Sequence, residues 1–273
     1  MAGTDDTIAA DDDTLYVLTA LLLTPASFPT VLGDDYPAAC RSLSLEPYEE
    51  GYGLVLGQDG AGARWTVVTE DATTVAGAIA AWDCGIAYEL SPDDRTVVCA
   101  LPGWPLALAV AAPGVPAPYD PEPAADGGAL LLTPPSESDW GPEQRRMGAD
   151  EIAARWASWR EQVDAAVPGP GASAAQEPES PGTKGHPGVR RALEEARDYL
   201  DSPPPPGRIR SSFASADVRT LRVDGPGWSL VARTDDMAFV LLDDAPGEVL
   251  QVRRGTQLLG LLTALDALAT RPA

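Results

Sequence analysis

Residues 218–269 constrain the fold of this 273-residue chain more tightly than any other stretch, because several consecutive elements are declared there by periodicity. Residues 218–223 and 228–233 alternate apolar and polar side chains, 238–242 and 249–252 are short apolar runs, and 256–269 repeats leucine at helical spacing. The pattern predicts strands followed by a closing helix. Upstream, 188–200 carries Val189, Leu193, Ala196 and Leu200 on one helical face and stops at the run Pro203 to Pro206, which reads as a stiff polyproline II connector.

The first part of the chain reads as sheet plus helix. Residues 15–23 (LYVLTALLL) form an apolar run that fits a buried strand or the first turns of a helix, and its leucine and alanine content favours the helix. Residues 52–56 and 64–69 are β-prone and flank GQDGAGA, which suits a hairpin. A dinucleotide-binding turn needs a helix after its glycines, whereas a strand-like run follows Gly57, Gly60 and Gly62. A short Ala-rich helix with a threonine N-cap is expected over 73–82, with strand-like segments at 85–90 and 96–101 around SPDD, and another short apolar element over 104–111. Residues 113–135 are punctuated by proline around one apolar island at 129–132. Over 142–167 Ile152, Trp156, Trp159 and Val163 recur at steps of three and four, the signature of an amphipathic helix whose tryptophans pack into a core.

The predicted class is therefore α+β: two mainly antiparallel sheets, each packed by helices, joined by a Pro/Gly-rich linker. The expected division is an acidic disordered tail over 1–13, an N-terminal domain over 14–167, a flexible linker over 168–187 and a C-terminal domain over 188–273. A weak internal repeat is suggested by TTVAGAIAAWD (73–83) and TQLLGLLTALD (256–266). These share Thr73/Thr256, Gly77/Gly260, Ala81/Ala264 and Asp83/Asp266, the glycines being read as permitting close approach of helix to sheet.

Charge is the strongest global signal: 41 Asp+Glu stand against 19 Lys+Arg, a formal net charge of −22. Such a field repels phosphate backbones and anionic membranes and attracts basic partners, so the expected partner is a basic protein, not nucleic acid or membrane. Lys184 is the single lysine, which with the abundance of Ala, Gly, Pro and Asp points to a high-GC bacterial genome. The acidic opening is unlike a signal peptide and the run at 15–23 is too short to cross a bilayer, so a cytoplasmic location is expected.

Catalytic residue types are scarce. The only histidine, His186, lies at the linker, leaving serine or cysteine nucleophiles without an imidazole base and imidazole-based metal sites without a ligand. Cys40, Cys84 and Cys99 are odd in number and lack paired spacing, and Cys84 and Cys99, inside apolar runs, read as small hydrophobes. No cofactor, metal site or catalytic residue is predicted. The acidic doublets Asp235–Asp236 and Asp243–Asp244 bracket one strand-like run and are the candidate partner-binding rim, with Arg253–Arg254 as an internal counter-charge. The expected function is a non-catalytic, acidic protein-binding module, in the physical class of immunity proteins and secretion chaperones. The alternatives are a carboxylate-dependent enzyme using magnesium or a nucleotide, and a regulatory scaffold whose tail and linker do the work.

Overall fold

A computed structural model describes residues 15–83, 93–104, 135–136, 138–166 and 186–270. The expected acidic tail, the strand at 85–90, Cys84, the apolar island at 129–132, almost all of the linker and most of the element at 104–111 lie outside these residues. The class is α+β: two antiparallel sheets, of four and five strands, accompanied by helices. The chain divides into two compact units, one comprising residues 1–24 and 48–134, the other 25–47 and 135–273.

In the first unit β1 (Tyr16–Leu23), β2 (Tyr52–Gln58), β3 (Arg64–Thr69) and β4 (Val97–Pro102) lie side by side in chain order. The apolar run at 15–23 is thus a strand, not a helix. It pairs with β2 from Tyr16 opposite Gln58 to Leu23 opposite Tyr52, and this tertiary pairing overrides the helical preference of Leu and Ala. GQDGAGA makes the β2–β3 hairpin. Asp59 ties it, accepting from the Ala61 and Ala63 amides at 2.9 Å and from Trp65 Nε1 at 2.8 Å, while Gly62 supplies a φ of +86°.

Helix α2 (Ala72–Asp83) covers the sheet of this unit through Val75 and Ala78, packed with Val55. Its cap is Asp71 instead of the expected Thr73: Asp71 Oδ1 accepts from the Thr74 amide at 2.9 Å and Oδ2 from the Thr74 hydroxyl at 2.5 Å. Close approach is provided by the strand, since a Cβ on Gly53 would lie 2.3 Å from Val75 Cγ2. Gly77, like Gly260 in the other unit, has open space where a side chain would be, so neither is there to let a helix near a sheet.

The second unit is built on β5 (Ile209–Ser215), β6 (Val218–Gly225), β7 (Trp228–Arg233), β8 (Ala238–Leu242) and β9 (Leu250–Val252), again antiparallel in chain order. Its helices are α1 (Tyr36–Ser42), α3 (Pro142–Ala154), α4 (Trp156–Ala166), α5 (Pro187–Asp201) and α6 (Thr256–Ala269). The single helix expected over 142–167 is broken at Arg155, whose φ of −113° and ψ of 36° close α3. These two helices pack on β7 and β8, so the sequence between 135 and 166 belongs with the C-terminal sheet, not with an N-terminal domain ending at 167. Residues 25–47 join it as well: the Tyr36 amide donates to Pro206 O at 2.8 Å, and α1 is capped by Asp35, which accepts from Ala38 N at 2.7 Å.

Strand alternation gives this sheet two different faces. One presents Leu221, Val223, Trp228, Leu230, Ala232, Val240 and Leu242 to Val189, Ala192 and Ala196 of α5 and to Leu258, Leu261, Leu262 and Leu265 of α6, all buried. The opposite face is apolar only in part. Val231, Phe239 and Leu241 pack with Ala149, Ile152 and Trp156, the Trp156 ring meeting Phe239 edge-on at 5.2 Å. Across β5 and β6 that same face carries Arg210, Arg222 and Asp224.

Candidate functional site

The buried stripe of α3 and α4 runs Arg145, Ala149, Ile152, Trp156, at steps of four, three and four. Arg145 therefore holds a core position, and its side chain is only 1% exposed. A guanidinium there is tolerable only with acceptors around it. Arg145 Nε donates to Asp243 Oδ1 at 2.6 Å, Nη1 to Ser229 Oγ at 2.6 Å and Nη2 to Asp34 Oδ1 at 3.1 Å. Arg146 follows it, donating to Asp34 Oδ1 at 3.3 Å and to the Val31 carbonyl at 3.4 Å.

Asp224 sits at the centre of the layer with no exposed side-chain surface. Its Oδ1 accepts from Ser229 Oγ at 2.5 Å and Arg222 Nη2 at 3.2 Å, and its Oδ2 from Arg210 Nη2 at 2.5 Å. Ser229 is a relay, accepting from Arg145 while donating to Asp224. Burial alone would raise the Asp224 pKa. Arg222, Arg210, the Ser229 hydroxyl and Arg145 outweigh it and hold the carboxyl below the usual carboxylate value. Arg222 also donates to Asp150 and to the Arg146 carbonyl. Burial pushes its pKa down, but Asp150 and Asp224 carry it above the ordinary arginine value.

Arg210 is in a different position. Burial is its largest influence and Arg222 adds repulsion, so that despite Asp224 its pKa lies below the ordinary arginine value. Its guanidinium carbon rests 4.6 Å from the centre of the Phe28 ring. Beside it opens a pocket of about 180 Å³, lined by Ser27, Asp150, Arg210, Ser212, Thr220 and Arg222 among others.

The four aspartates singled out in the sequence divide into two kinds. Asp236 accepts from Arg160 Nε at 3.1 Å, and Asp243 is an acceptor of Arg145. Asp235 and Asp244 are exposed, with no ion pair or side-chain hydrogen bond to another described residue. The internal counter-charges come from α3 and α4, whereas Arg253 and Arg254 are exposed and make no ion pair among the described residues. Strand β8, which the doublets bracket, lies between β7 and β9, so the aspartates mark strand ends and not an open sheet edge.

No family model, curated protein or solved structure matches this chain. Functional inference therefore rests on the arrangement itself. The free thiols described are Cys40, buried, and Cys99, half-buried, and burial raises the pKa of both, which keeps them protonated and weakly nucleophilic. No group of three or more His, Cys, Asp or Glu suited to a metal ion occurs among the described residues. None of the described helices is long and apolar enough to cross a membrane.

Proposed function

We propose that this chain is a non-catalytic acidic module that recognises a basic protein partner. The observation that carries this reading is the excess of acids over cations, together with five arginines held in inward-facing ion pairs. Arg145, Arg146, Arg208, Arg210 and Arg222 turn inward and pair with Asp34, Asp35, Asp150, Asp224 and Asp243. Forty-one acids stand against 19 cations, and among the described residues the exposed carboxylates include Asp235 and Asp244 at the ends of β8. A surface so biased steers cationic partners and binds them in a salt-dependent way. A carboxylate-dependent reaction would need several acids converging on a concavity. The pocket beside Arg210 has Asp150 as its one carboxylate, already an acceptor for Arg222 and Thr30.

The test is affinity capture by the immobilised full-length chain at low and high salt, repeated with the Asp235→Asn/Asp244→Asn variant. The reading requires a partner rich in Lys and Arg, retained at low salt, released at high salt and weakened by the double substitution. Capture of no salt-sensitive partner ends it. Equal capture by the variant removes the β8 ends from the surface while leaving the class of partner intact.

A further inference from the structure

The hydrogen-bond inventory of Arg210 does not close. A guanidinium carries five N–H donors. Arg210 uses Nη2 toward Asp224, and neither Nε nor Nη1 has an acceptor among the described residues, although the side chain is only 12% exposed. Neighbouring Arg222, 6% exposed, likewise has a buried Nε with no acceptor. Two largely buried guanidinium groups, side by side on one sheet face, thus share Asp224 and retain unused donors. Native interiors rarely leave such groups unmet, and those that remain ask for an explanation.

Both Nε donors are sealed from solvent, so of the unmet donors Arg210 Nη1 is the one that can face a pocket. Arg210 and Arg222 both line the pocket of about 180 Å³, together with the hydroxyl-bearing Ser27, Ser212 and Thr220. Ser212 lies opposite Thr220, and Arg210 opposite Arg222, in the β5–β6 pairing, so these four side chains belong to the same face of two adjacent strands. Phe28 lies against Arg210 and restrains the guanidinium. Donors held in place at the wall of a cavity are what an incoming acceptor needs, because little ordering remains to be done at binding.

We propose that this pocket binds a small monovalent oxyanion of the carboxylate class, its oxygens accepting from Arg210 and from the Ser212 and Thr220 hydroxyls. With Arg210 Nη2 engaged by Asp224 and Nε sealed, Nη1 is left for one carboxylate oxygen, and the hydroxyls serve the other. A phosphate dianion is disfavoured, because Asp150 lines the same pocket and Asp224 lies behind Arg210. The site is independent of the protein-binding surface proposed above, involving neither Asp235 nor Asp244.

Titration of the full-length chain with acetate, propionate and inorganic phosphate, against chloride at equal ionic strength, tests the assignment by calorimetry and by thermal midpoint. Saturable binding of a carboxylate that chloride and phosphate do not reproduce is expected. Ser212→Asp places a tethered carboxylate at the pocket wall without removing any member of the buried charge layer, and it should weaken carboxylate binding at least tenfold while leaving the far-ultraviolet circular dichroism unchanged. Thr220→Val should weaken it by a smaller factor. The proposal is overturned by equal effects of carboxylate and chloride, by phosphate binding tighter than carboxylate, or by undiminished binding in folded Ser212→Asp.

Discussion

The two faces of the five-stranded sheet solve the same covering problem by opposite chemistry. Behind it, α5 and α6 bury leucine, valine and alanine against Leu221, Val223, Leu230 and Val240. In front, α3 meets β6 and β7 through Arg145, Arg146 and Asp150, which engage Ser229 and Arg222 beside Asp224. Apolar burial is non-directional and scales with area, so the rear face tolerates small adjustments. The front face stabilises only when each charge meets its partner, since desolvation of an ion costs several kcal/mol (~20 in the idealised limit) and is recovered through geometry.

The largest effect expected from this contrast is at Asp224. Asp224→Asn leaves Arg210 and Arg222 buried without their shared anion and should cost about 3–5 kcal/mol by chemical denaturation, a large fraction of a typical domain's stability. Leu262→Ala on the rear face removes a fully buried side chain and should cost about 2–5 kcal/mol. Similar single losses conceal different causes, and combined substitutions separate them. Adding Arg210→Met and Arg222→Met to Asp224→Leu should recover most of the Asp224 loss, because a packed apolar layer replaces the charges. A triple variant as unstable as Asp224→Asn would mean that the front face is not limited by uncompensated charge.

Acid separates the faces next. The folded pKa of Asp224 lies below its ordinary, unfolded value, so the unfolded chain binds its proton first as pH falls. The stability this carboxylate contributes is complete above the ordinary carboxylate range and is lost as pH descends from there through the lower folded value. Unfolding free energies measured from neutral pH into that window should therefore fall in the wild-type protein and in Leu262→Ala alike, and fall less in Asp224→Asn. A Leu262→Ala profile flattened like that of Asp224→Asn would break the assignment of acid sensitivity to the front face.

How far these faces were legible in the sequence follows from the same chemistry. Strands 218–252 and the last helix announce themselves through alternation and leucine spacing, because the rear face is apolar throughout. Strand β5 is short of large apolar residues and follows four prolines, so neither alternation nor an apolar run marks it in the sequence. Periodicity reveals that a helix has an apolar stripe, but not which sheet that stripe meets; for 142–166 it is the sheet carrying Val231, Phe239 and Leu241. The charge layer was hidden for a related reason. Thr220, Arg222 and Asp224 alternate with apolar residues as a solvated strand face would, and only Arg145, one helical step before Ala149 in an otherwise apolar stripe, hinted that a charged side chain sits in the core. The acidic doublets stand out in the sequence by their charge, yet one member of each is held by an arginine of α3 or α4.

The smallest expected effect concerns the outer side of the rear layer. Helix α6 is held by Leu258, Leu261, Leu262 and Leu265, and Gly260 lies on its exposed side with nothing within 4 Å of the position a Cβ would take. Glycine there contributes no packing, and the freedom it gives the unfolded chain has to be given up on folding. Gly260→Ala should raise the unfolding free energy by about 0.5–1 kcal/mol, and Gly77→Ala in α2, equally open, should act in the same direction. Because the rear face is fixed by area and not by pairing, the gain at Gly260 should add to the loss in Asp224→Asn without interaction. A double variant departing from additivity by more than about 0.5 kcal/mol would show that the two faces communicate through the sheet, and the division between an adaptable apolar side and an exacting ionic side would then have to be abandoned.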